Sequence, residues 1–225
     1  MSLRGAVVIP AAPALLPGLG GTADPLRGVR EIARGAVESL CATAPDASVV
    51  VVSGQDDGPT EWAWEAPSGA ARFTTGRVSP GALPAGLEIG RMVLPEGRTA
   101  RLIGIHHDAS PRACGDLGRA LVAEGPVVLV VVADGSATRT VKAPGHFDER
   151  AEAFDAEIAR ALAAVDAPAL AELDPALASE LWCRGRAALQ VLAGAAEGSE
   201  SPLRGQVQLD EAPYGVGYFV ATWSA

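Results

Sequence analysis

The sequence contains few of the residues that build common metal and redox sites. Among 225 residues there are three histidines and three cysteines. Cys41, Cys114 and Cys183 are odd in number, far apart and without metal-ligand spacing, so we expect free, buried thiols rather than a disulfide framework. Free thiols persist in a reducing compartment, and the sequence therefore predicts a cytoplasmic protein.

Positive charge is also scarce. Lysine and arginine number 18 against 27 aspartates and glutamates, which gives a formal net charge of −9. Recognition of a nucleic acid or an anionic membrane surface needs a basic stripe that neutralises phosphates. We therefore expect neither partner, and a small molecule or another protein remains.

No uncharged run fits a membrane span or a secretory signal. Residues 5–23 carry no charge, but they contain Pro10, Pro13 and Pro17. These prolines would break a helix that must satisfy its own backbone in lipid. Only Arg4 precedes the run, which is too little for the basic start of a signal peptide.

Common catalytic signatures are missing too. The chain has no Gly-x-Ser-x-Gly elbow, Walker loop, His-Glu-x-x-His pair or paired Cys-x-x-Cys. Residues 18–23 match the dinucleotide fingerprint in form only, because the glycines must lie directly between a strand and a helix. Here the prolines at 10, 13 and 17 separate the glycines from the preceding strand, and a flexible loop is predicted.

What is present is an alternation of apolar runs and helical patterns. Predicted strands cover 5–9, 48–53, 101–105, 127–132, 205–209 and 217–222. Predicted helices begin at 24, 111, 148 and 174, with a short helical turn within 166–173. The weaker segment 54–99 is interpreted as loops with strands at 71–75 and 87–94. Strands with continuous apolar runs, such as 48–53 and 127–132, are typical of a sheet covered on both faces. The prediction is therefore one α/β domain over 1–225, with a mostly parallel or mixed sheet flanked by helices.

Three aspartates are predicted to cap helices. Asp24 and Asp174 each precede a proline, the usual N-cap and first helical residue, and Asp148 precedes a third helical pattern.

The closing segment 210–221 places a carboxylate, Glu211, before a Gly-x-Gly turn that enters an apolar strand. A carboxylate at a strand edge suits a metal site or an acid/base site, and the only imidazoles available are His106, His107 and His146. His106 and His107 are adjacent, and adjacent side chains on a strand point to opposite faces. We therefore interpret 106–108 as a solvated loop and His146 as part of a turn before a helix.

Several motifs together resemble one family. They are Ile-Pro-Ala-Ala-Pro-Ala-Leu-Leu-Pro at 9–17, Ala-Asp-Gly-Ser-Ala-Thr-Arg at 133–139, Ala-Pro-Gly-His-Phe-Asp at 143–148, Phe-Asp at 154–155, Leu-Ala-Gly-Ala at 192–195 and Glu-Ala-Pro-Tyr-Gly-Val-Gly-Tyr at 211–218. In this order they are similar to the catalytic B subunit of class III extradiol ring-cleavage dioxygenases, the LigB superfamily, which includes the Memo-like proteins. The resemblance covers 111–225 and both ends of the first 55 residues, but not 56–100. It implies a LigB-like fold, and a homodimer or a small second subunit as possible partners.

The resemblance also implies where the family's site would lie. The iron-binding histidine of the opening motif falls on Ala11, the second iron-binding histidine on Gln55 and the acid/base histidine on Ala137. Only the carboxylate ligand has a counterpart, Glu211. Two histidines and one carboxylate hold ferrous iron with open positions, and a methyl group and an amide do not replace the imidazoles. Alanine at the acid/base position forfeits a proton transfer worth about 10²–10⁴-fold.

The first hypothesis is therefore a pseudoenzyme, a dioxygenase-like scaffold without metal, cofactor or aromatic ring-opening activity. It would bind a small molecule or a protein in a cleft lined by Gln55, Asp56, Asp134, Ser136, His146, Glu211 and Tyr214. Fold and function separate readily once the residues of a site change.

Two alternatives are enzymatic. In one, His106 or His107 meets His146 and Glu211 around a relocated metal, with Fe(II) the expected ion for oxidoreductase chemistry. In the other, Asp134 or Asp56 lies opposite Glu211 as a metal-independent acid/base pair.

Overall fold

A seven-stranded mixed sheet forms the centre of the chain in the computed structural model, which describes residues 2–197 and 202–225. The strand order is β3-β4-β2-β5-β1-β7-β6. The strands are β1 (Ser2–Ile9), β2 (Ser48–Gln55), β3 (Glu61–Trp62), β4 (Arg101–His106), β5 (Pro126–Val132), β6 (Arg204–Glu211) and β7 (Tyr218–Ser224).

Helices cover both faces of this sheet, and a short 3-10 turn (Pro13–Leu15) follows β1. The helices are α1 (Arg27–Thr43), α2 (Ala71–Thr74), α3 (Ala85–Met92), α4 (Pro111–Ala123), α5 (Ala151–Ala164), α6 (Ala167–Ala171), α7 (Pro175–Glu180) and α8 (Arg186–Ala196). The predicted class, one α/β domain with a mixed sheet flanked by helices, is confirmed.

The central strands β1, β2, β4 and β5 run parallel, with β5 between β1 and β2. Successive residues of β5 alternate between two apolar clusters. Leu129 and Val131 join the cluster that includes α4, α5 and α8. Val128 and Val130 join the cluster that includes α1 and α3. Both faces are therefore apolar, which is why residues 127–132 form an unbroken apolar run.

The carboxyl ends of the four parallel strands lie at one edge of the sheet. Strand β7 runs antiparallel to β1 and pairs with β6, so the two form the predicted hairpin at the other side of the sheet. Trp223 of β7 is fully buried and donates from Nε1 to the carbonyl of Leu162 at 2.7 Å. This bond joins the hairpin to α5.

The strands predicted at 71–75 and 87–94 are wrong, because α2 and α3 occupy these segments. Gly86 and Gly90 lie four residues apart and give α3 a smooth face against the sheet. A Cβ on Gly90 would collide with Val51 of β2. Short apolar runs do not separate helix from strand by pattern alone, and here the close approach of α3 decides.

The helix start predicted at 111 is confirmed, and of the three predicted aspartate caps one is confirmed and two are wrong. Asp24 adopts a left-handed φ of 38° and forms an ion pair with Arg30 at 2.7 Å instead of capping, so α1 begins at Arg27. Asp148 accepts from the backbone N–H of Arg150 at 2.9 Å, and α5 begins after it. Asp174 caps α7 by accepting from Ala176 at 2.8 Å.

The pattern that begins at 174 forms two helices rather than one. Helix α7 ends at Glu180, and Trp182 has a left-handed φ of 56° before α8 begins at Arg186. The helical turn predicted within 166–173 is confirmed as α6, capped by Asp166.

Cys41, Cys114 and Cys183 are buried and free, as predicted. No helix within the described parts of the chain has the length and apolar character that crossing a membrane requires.

Candidate functional site

A cavity of about 850 Å³ opens at the edge where the parallel strands end. Ala11 follows β1, Gln55 ends β2 and Asp134 follows β5, and all three line this cavity. Ligand sites in open α/β sheets usually lie outside the carboxyl ends of the strands. The segment between β2 and α3, which includes α2, forms the facing wall.

Asp134 is the most perturbed carboxyl of the cavity. Its Oδ1 accepts the backbone N–H of Ala11 at 2.7 Å, which ties the loop after β5 to the loop after β1. Burial raises the pKa of Asp134 to about 7, the Ala11 N–H opposes this rise, and the nearby Asp155 adds to it. No ion pair to Asp134 forms among the described residues. A carboxyl with this pKa holds and releases a proton near neutral pH.

A second group of side chains, Asp56, His107 and Arg184, lines the same cavity. Arg184 Nη1 lies 3.0 and 3.1 Å from the two carboxylate oxygens of Asp56. His107 donates from Nδ1 to the Arg184 carbonyl at 2.8 Å, and its Nε2 lies 4.0 Å from Asp56. Burial lowers the pKa of His107, which favours a neutral imidazole.

These three residues also line a smaller cavity of about 330 Å³, whose other walls include Trp182 and Cys183. The cluster of Asp56, His107 and Arg184 therefore forms a partition between the two cavities.

Gln55 reaches the cavity, but its amide is already bonded. Its Nε2 donates to the carbonyls of Gly58 and Pro59 at 3.3 and 3.1 Å. Its Oε1 accepts from Trp62 Nε1 at 2.9 Å. The side chain therefore fixes the loop after β2 and anchors β3.

Ser136 does not line either cavity. Its backbone N–H and hydroxyl donate to the Asp155 carboxylate at 2.7 and 2.9 Å, and Arg139 completes the cluster at 3.2 Å from Asp155. Burial raises the pKa of Asp155, and the contacts with Ser136 and Arg139 oppose this rise. Ala137 is buried beside this cluster and donates its N–H to the Leu181 carbonyl at 2.9 Å. This part of the loop after β5 supports the site rather than facing a ligand.

The remaining predicted residues lie outside both cavities. Glu211 is exposed at the end of β6, opposite Tyr218. Tyr214 is exposed on the hairpin, and His146 is exposed in a turn with a left-handed φ of 61°. His106 is exposed, and its Nδ1 lies 2.6 Å from the carboxylate of Asp108. From the predicted residues, the structure thus brings Ala11, Gln55, Asp56, His107 and Asp134 to one cavity, whereas His106, Ser136, Ala137, His146, Glu211 and Tyr214 do not line it.

The residues implied by the family resemblance do not fit ferrous iron. Ala11 offers a methyl group, the amide of Gln55 is bonded to the protein, and Glu211 lies on the exposed hairpin. The relocated set of His106, His107, His146 and Glu211 does not converge. Over the described residues, no three histidine, cysteine, aspartate or glutamate side chains are grouped so that they could hold a metal ion.

Sequence reasoning missed three features of the cavity. His107 was expected in a solvated loop, yet the Arg184 carbonyl, 77 residues away along the chain, fixes it against the cavity. Phe73 and Val78 line the wall that the sequence left without a clear pattern. No local signal marks Arg184, because its role depends on contacts between distant segments.

No protein-family model matches the chain, and no curated protein matches it. Among solved structures, the crystal structure of the uncharacterized protein JW3007 from Escherichia coli K12 is similar, with a TM-score of 0.53. The match covers 99% of this chain and 100% of that chain at 15% sequence identity. At this identity the likeness concerns the fold alone.

Proposed function

We propose that this chain is a LigB-like, extradiol dioxygenase-like protein without ring-cleavage activity, which binds a small molecule in the cavity at the strand ends. One observation carries the proposal. Ala11 and Gln55 line one cavity of about 850 Å³, at the positions that the resemblance assigns to iron-binding histidines. Neither side chain offers a free atom that could bind a metal. This volume lies within the range of small-molecule sites.

The chemistry of the donor set argues against ring cleavage. Ferrous iron that activates dioxygen needs two imidazoles and a carboxylate on one face, with open positions left for the reactants. The positions in question hold a methyl group, a bonded amide and a carboxylate on an exposed hairpin. Ala137, at the acid/base position, has no group that carries a proton.

A second candidate function is metal-independent proton transfer by Asp134. Its pKa near 7 suits a general acid or base at neutral pH, and its carboxyl lines the cavity. Asp56 lines the same cavity and is the better counterpart of the predicted pair, because Glu211 lies outside it.

The net charge and the free cysteines bear on the partners and the localisation that we propose. A net charge of −9 disfavours nucleic acid as a partner, and three free, buried thiols support a cytoplasmic protein. A homodimer or a small second subunit is the assembly that the family resemblance implies.

Blocking the cavity tests small-molecule binding. A fragment library of mixed charge is screened by ligand-detected NMR against the wild-type chain, Ala11→Phe and Ala42→Phe. Ala11 lines the cavity, whereas Ala42 is exposed on α1 and serves as the matched control. We expect hits that Ala11→Phe loses and Ala42→Phe keeps. A library without hits, or hits that survive in Ala11→Phe, would contradict the proposal.

Metal content and turnover test the loss of ring cleavage. Protein purified without chelator or affinity tag should contain well under one equivalent of iron, zinc or manganese, and should not open the ring of protocatechuate. Stoichiometric metal that is lost in Glu211→Ala, or a ring-opened product, would show that the family's chemistry persists.

A further inference from the structure

Asp134 is a carboxyl without a countercharge. Its Oδ1 accepts the Ala11 N–H, and its Oδ2 makes no hydrogen bond to any residue that the structure describes. Asp155 raises the pKa of Asp134, and Asp134 in turn raises the pKa values of Tyr218 and Cys183. None of these supplies positive charge. Asp134 is half-buried, and a charge that is partly removed from water is usually paired, so this carboxyl lacks the cationic partner that its setting favours.

The cationic side chains of the cavity are already occupied. Arg184 pairs with Asp56 through Nη1. Arg72 donates from Nε to the Gly69 carbonyl at 3.0 Å and from Nη2 to the Leu83 carbonyl at 2.9 Å. Since burial lowers the pKa of His107, its imidazole adds no positive charge near neutral pH. The lining holds three carboxyls, Asp56, Asp57 and Asp134, and two guanidinium groups, so its net charge is −1 when all three carboxyls are ionised.

The cavity also presents apolar surface. Phe73 is 46% exposed and Val78 is 61% exposed, although large apolar side chains are usually buried. Both line the cavity, as does Val132 at the end of β5. An aromatic ring and aliphatic walls beside a carboxyl suit a ligand that has a charged end and an apolar body.

We propose that the cavity binds an organic cation, a primary or secondary amine on an apolar or aromatic body, and that Asp134 is its counter-ion. The inference rests on the proposed small-molecule site and names its ligand class. The ammonium group pairs with Asp134, and the body covers Phe73 and Val78. Asp134 positions the protonated ligand as its counter-ion, and no bond is formed or broken.

Such binding depends on pH because the carboxyl must be ionised. With a pKa of Asp134 near 7, affinity for an amine should rise about tenfold between about pH 6 and about pH 8. The neighbouring groups do not produce this rise. Burial raises the pKa of Cys183 to about 12, raises the pKa of Tyr218 and lowers the pKa of His107. Asp155, whose pKa burial also raises, does not line the cavity.

Three compounds of one size separate the charge classes. Benzylamine, benzyl alcohol and benzoate are titrated into the full chain at about pH 8 and followed by calorimetry or by ligand-detected NMR. We expect benzylamine to bind at least about tenfold more tightly than benzyl alcohol, which corresponds to one charge-assisted contact, and benzoate to bind least.

Two variants assign the preference to Asp134. Asp134→Asn keeps an oxygen acceptor for the Ala11 N–H and removes the charge, so its affinity for benzylamine should fall to that for benzyl alcohol. Asp46→Asn makes the same charge change at an exposed position outside the cavity and should leave the affinity unchanged. If Asp134→Asn does not fold, the pH series on the wild-type chain tests the same carboxyl.

The outcomes also separate this inference from the proposed function. Equal affinity for the three compounds, preference for benzoate, or a benzylamine affinity that ignores both pH and Asp134→Asn would overturn the cation assignment. The small-molecule site itself stands in those cases if Ala11→Phe still abolishes binding of the fragment hits. An absence of benzylamine binding overturns the inference, and an absence of any hit overturns the site.

Discussion

Replacing Asp134 with asparagine should stabilise the protein at alkaline pH and have a much smaller effect in acid. The pKa of Asp134 is about 7 in the folded chain, against an ordinary value of 3.8. Between these values the folded state holds a proton that the unfolded state has released. Stability therefore falls as the pH rises through this window, and the full penalty of the buried charge is present above about pH 7.

The magnitude follows from that difference. A pKa raised from 3.8 to about 7 corresponds to a penalty of about 4 kcal/mol above the window. Near pH 4.5 only about 1 kcal/mol of this penalty is present, because this pH lies only slightly above the ordinary pKa that the carboxyl has in the unfolded chain. Asn keeps an acceptor for the Ala11 N–H, so the substitution removes the charge and leaves that bond. Since small domains are stable by about 5–15 kcal/mol, the change is large.

Urea unfolding measures the effect directly. The wild-type chain, Asp134→Asn and the exposed control Asp46→Asn are unfolded at about pH 4.5 and about pH 8, and followed by circular dichroism and by the fluorescence of the four tryptophans. We expect the gain in unfolding free energy of Asp134→Asn to be about 3 kcal/mol larger at the higher pH.

Two results would refute the reasoning. A gain of the same size at both pH values would mean that Asp134 titrates normally. A loss of stability at about pH 8 would mean that an unrecognised cation pairs with the carboxylate, because removing one partner of a buried pair destabilises.

Three further substitutions test the packing and the polar clusters around the site. Gly90→Ala should lower the melting temperature, at a cost of about 1–3 kcal/mol from the collision with β2, whereas Gly35→Ala in α1, with nothing within 4 Å, should gain up to about 1 kcal/mol. Asp155→Ala should cost about 3 kcal/mol or more in urea unfolding because it removes the acceptor of the buried Ser136 N–H and hydroxyl, and the exposed Glu152→Ala should cost less than about 1 kcal/mol. Trp62→Phe should cost about 1–3 kcal/mol by leaving the amide oxygen of the buried glutamine at the end of β2 without its donor, and an unchanged urea midpoint would contradict that role.

The strands of the described sheet other than β3 were predictable because their signal is local. The apolar runs of β2 and β5 have apolar neighbours on both faces, and the sequence records this directly. Helix α3 was not predictable, because its helical structure depends on the close packing of Gly90 against Val51 of β2, which the local sequence does not show. The family resemblance stays a prediction that the fold alone does not test.

The site was predictable only in part, for a similar reason. Asp56 and Asp134 follow strand ends and line the cavity, as strand-end residues commonly do. Ser136 lies only two residues beyond Asp134, but its hydroxyl and its N–H donate hydrogen bonds to Asp155 on α5. The backbone carbonyl of Arg184, far away along the chain, accepts a hydrogen bond from His107 and holds its imidazole against the cavity. Contacts with residues far away in the sequence decide such orientations, and the local sequence pattern does not show them.

The partition between the two cavities is held by a weak ion pair. Asp56 and Arg184 are 69% and 65% exposed, and an ion pair at such exposure contributes at most about 1 kcal/mol. A ligand that displaces the Arg184 side chain from Asp56 would therefore lose little binding energy to this ion pair. The partition therefore discriminates weakly by ligand length, and the proposed selection of a ligand by its charge would depend on Asp134, which lines the larger cavity.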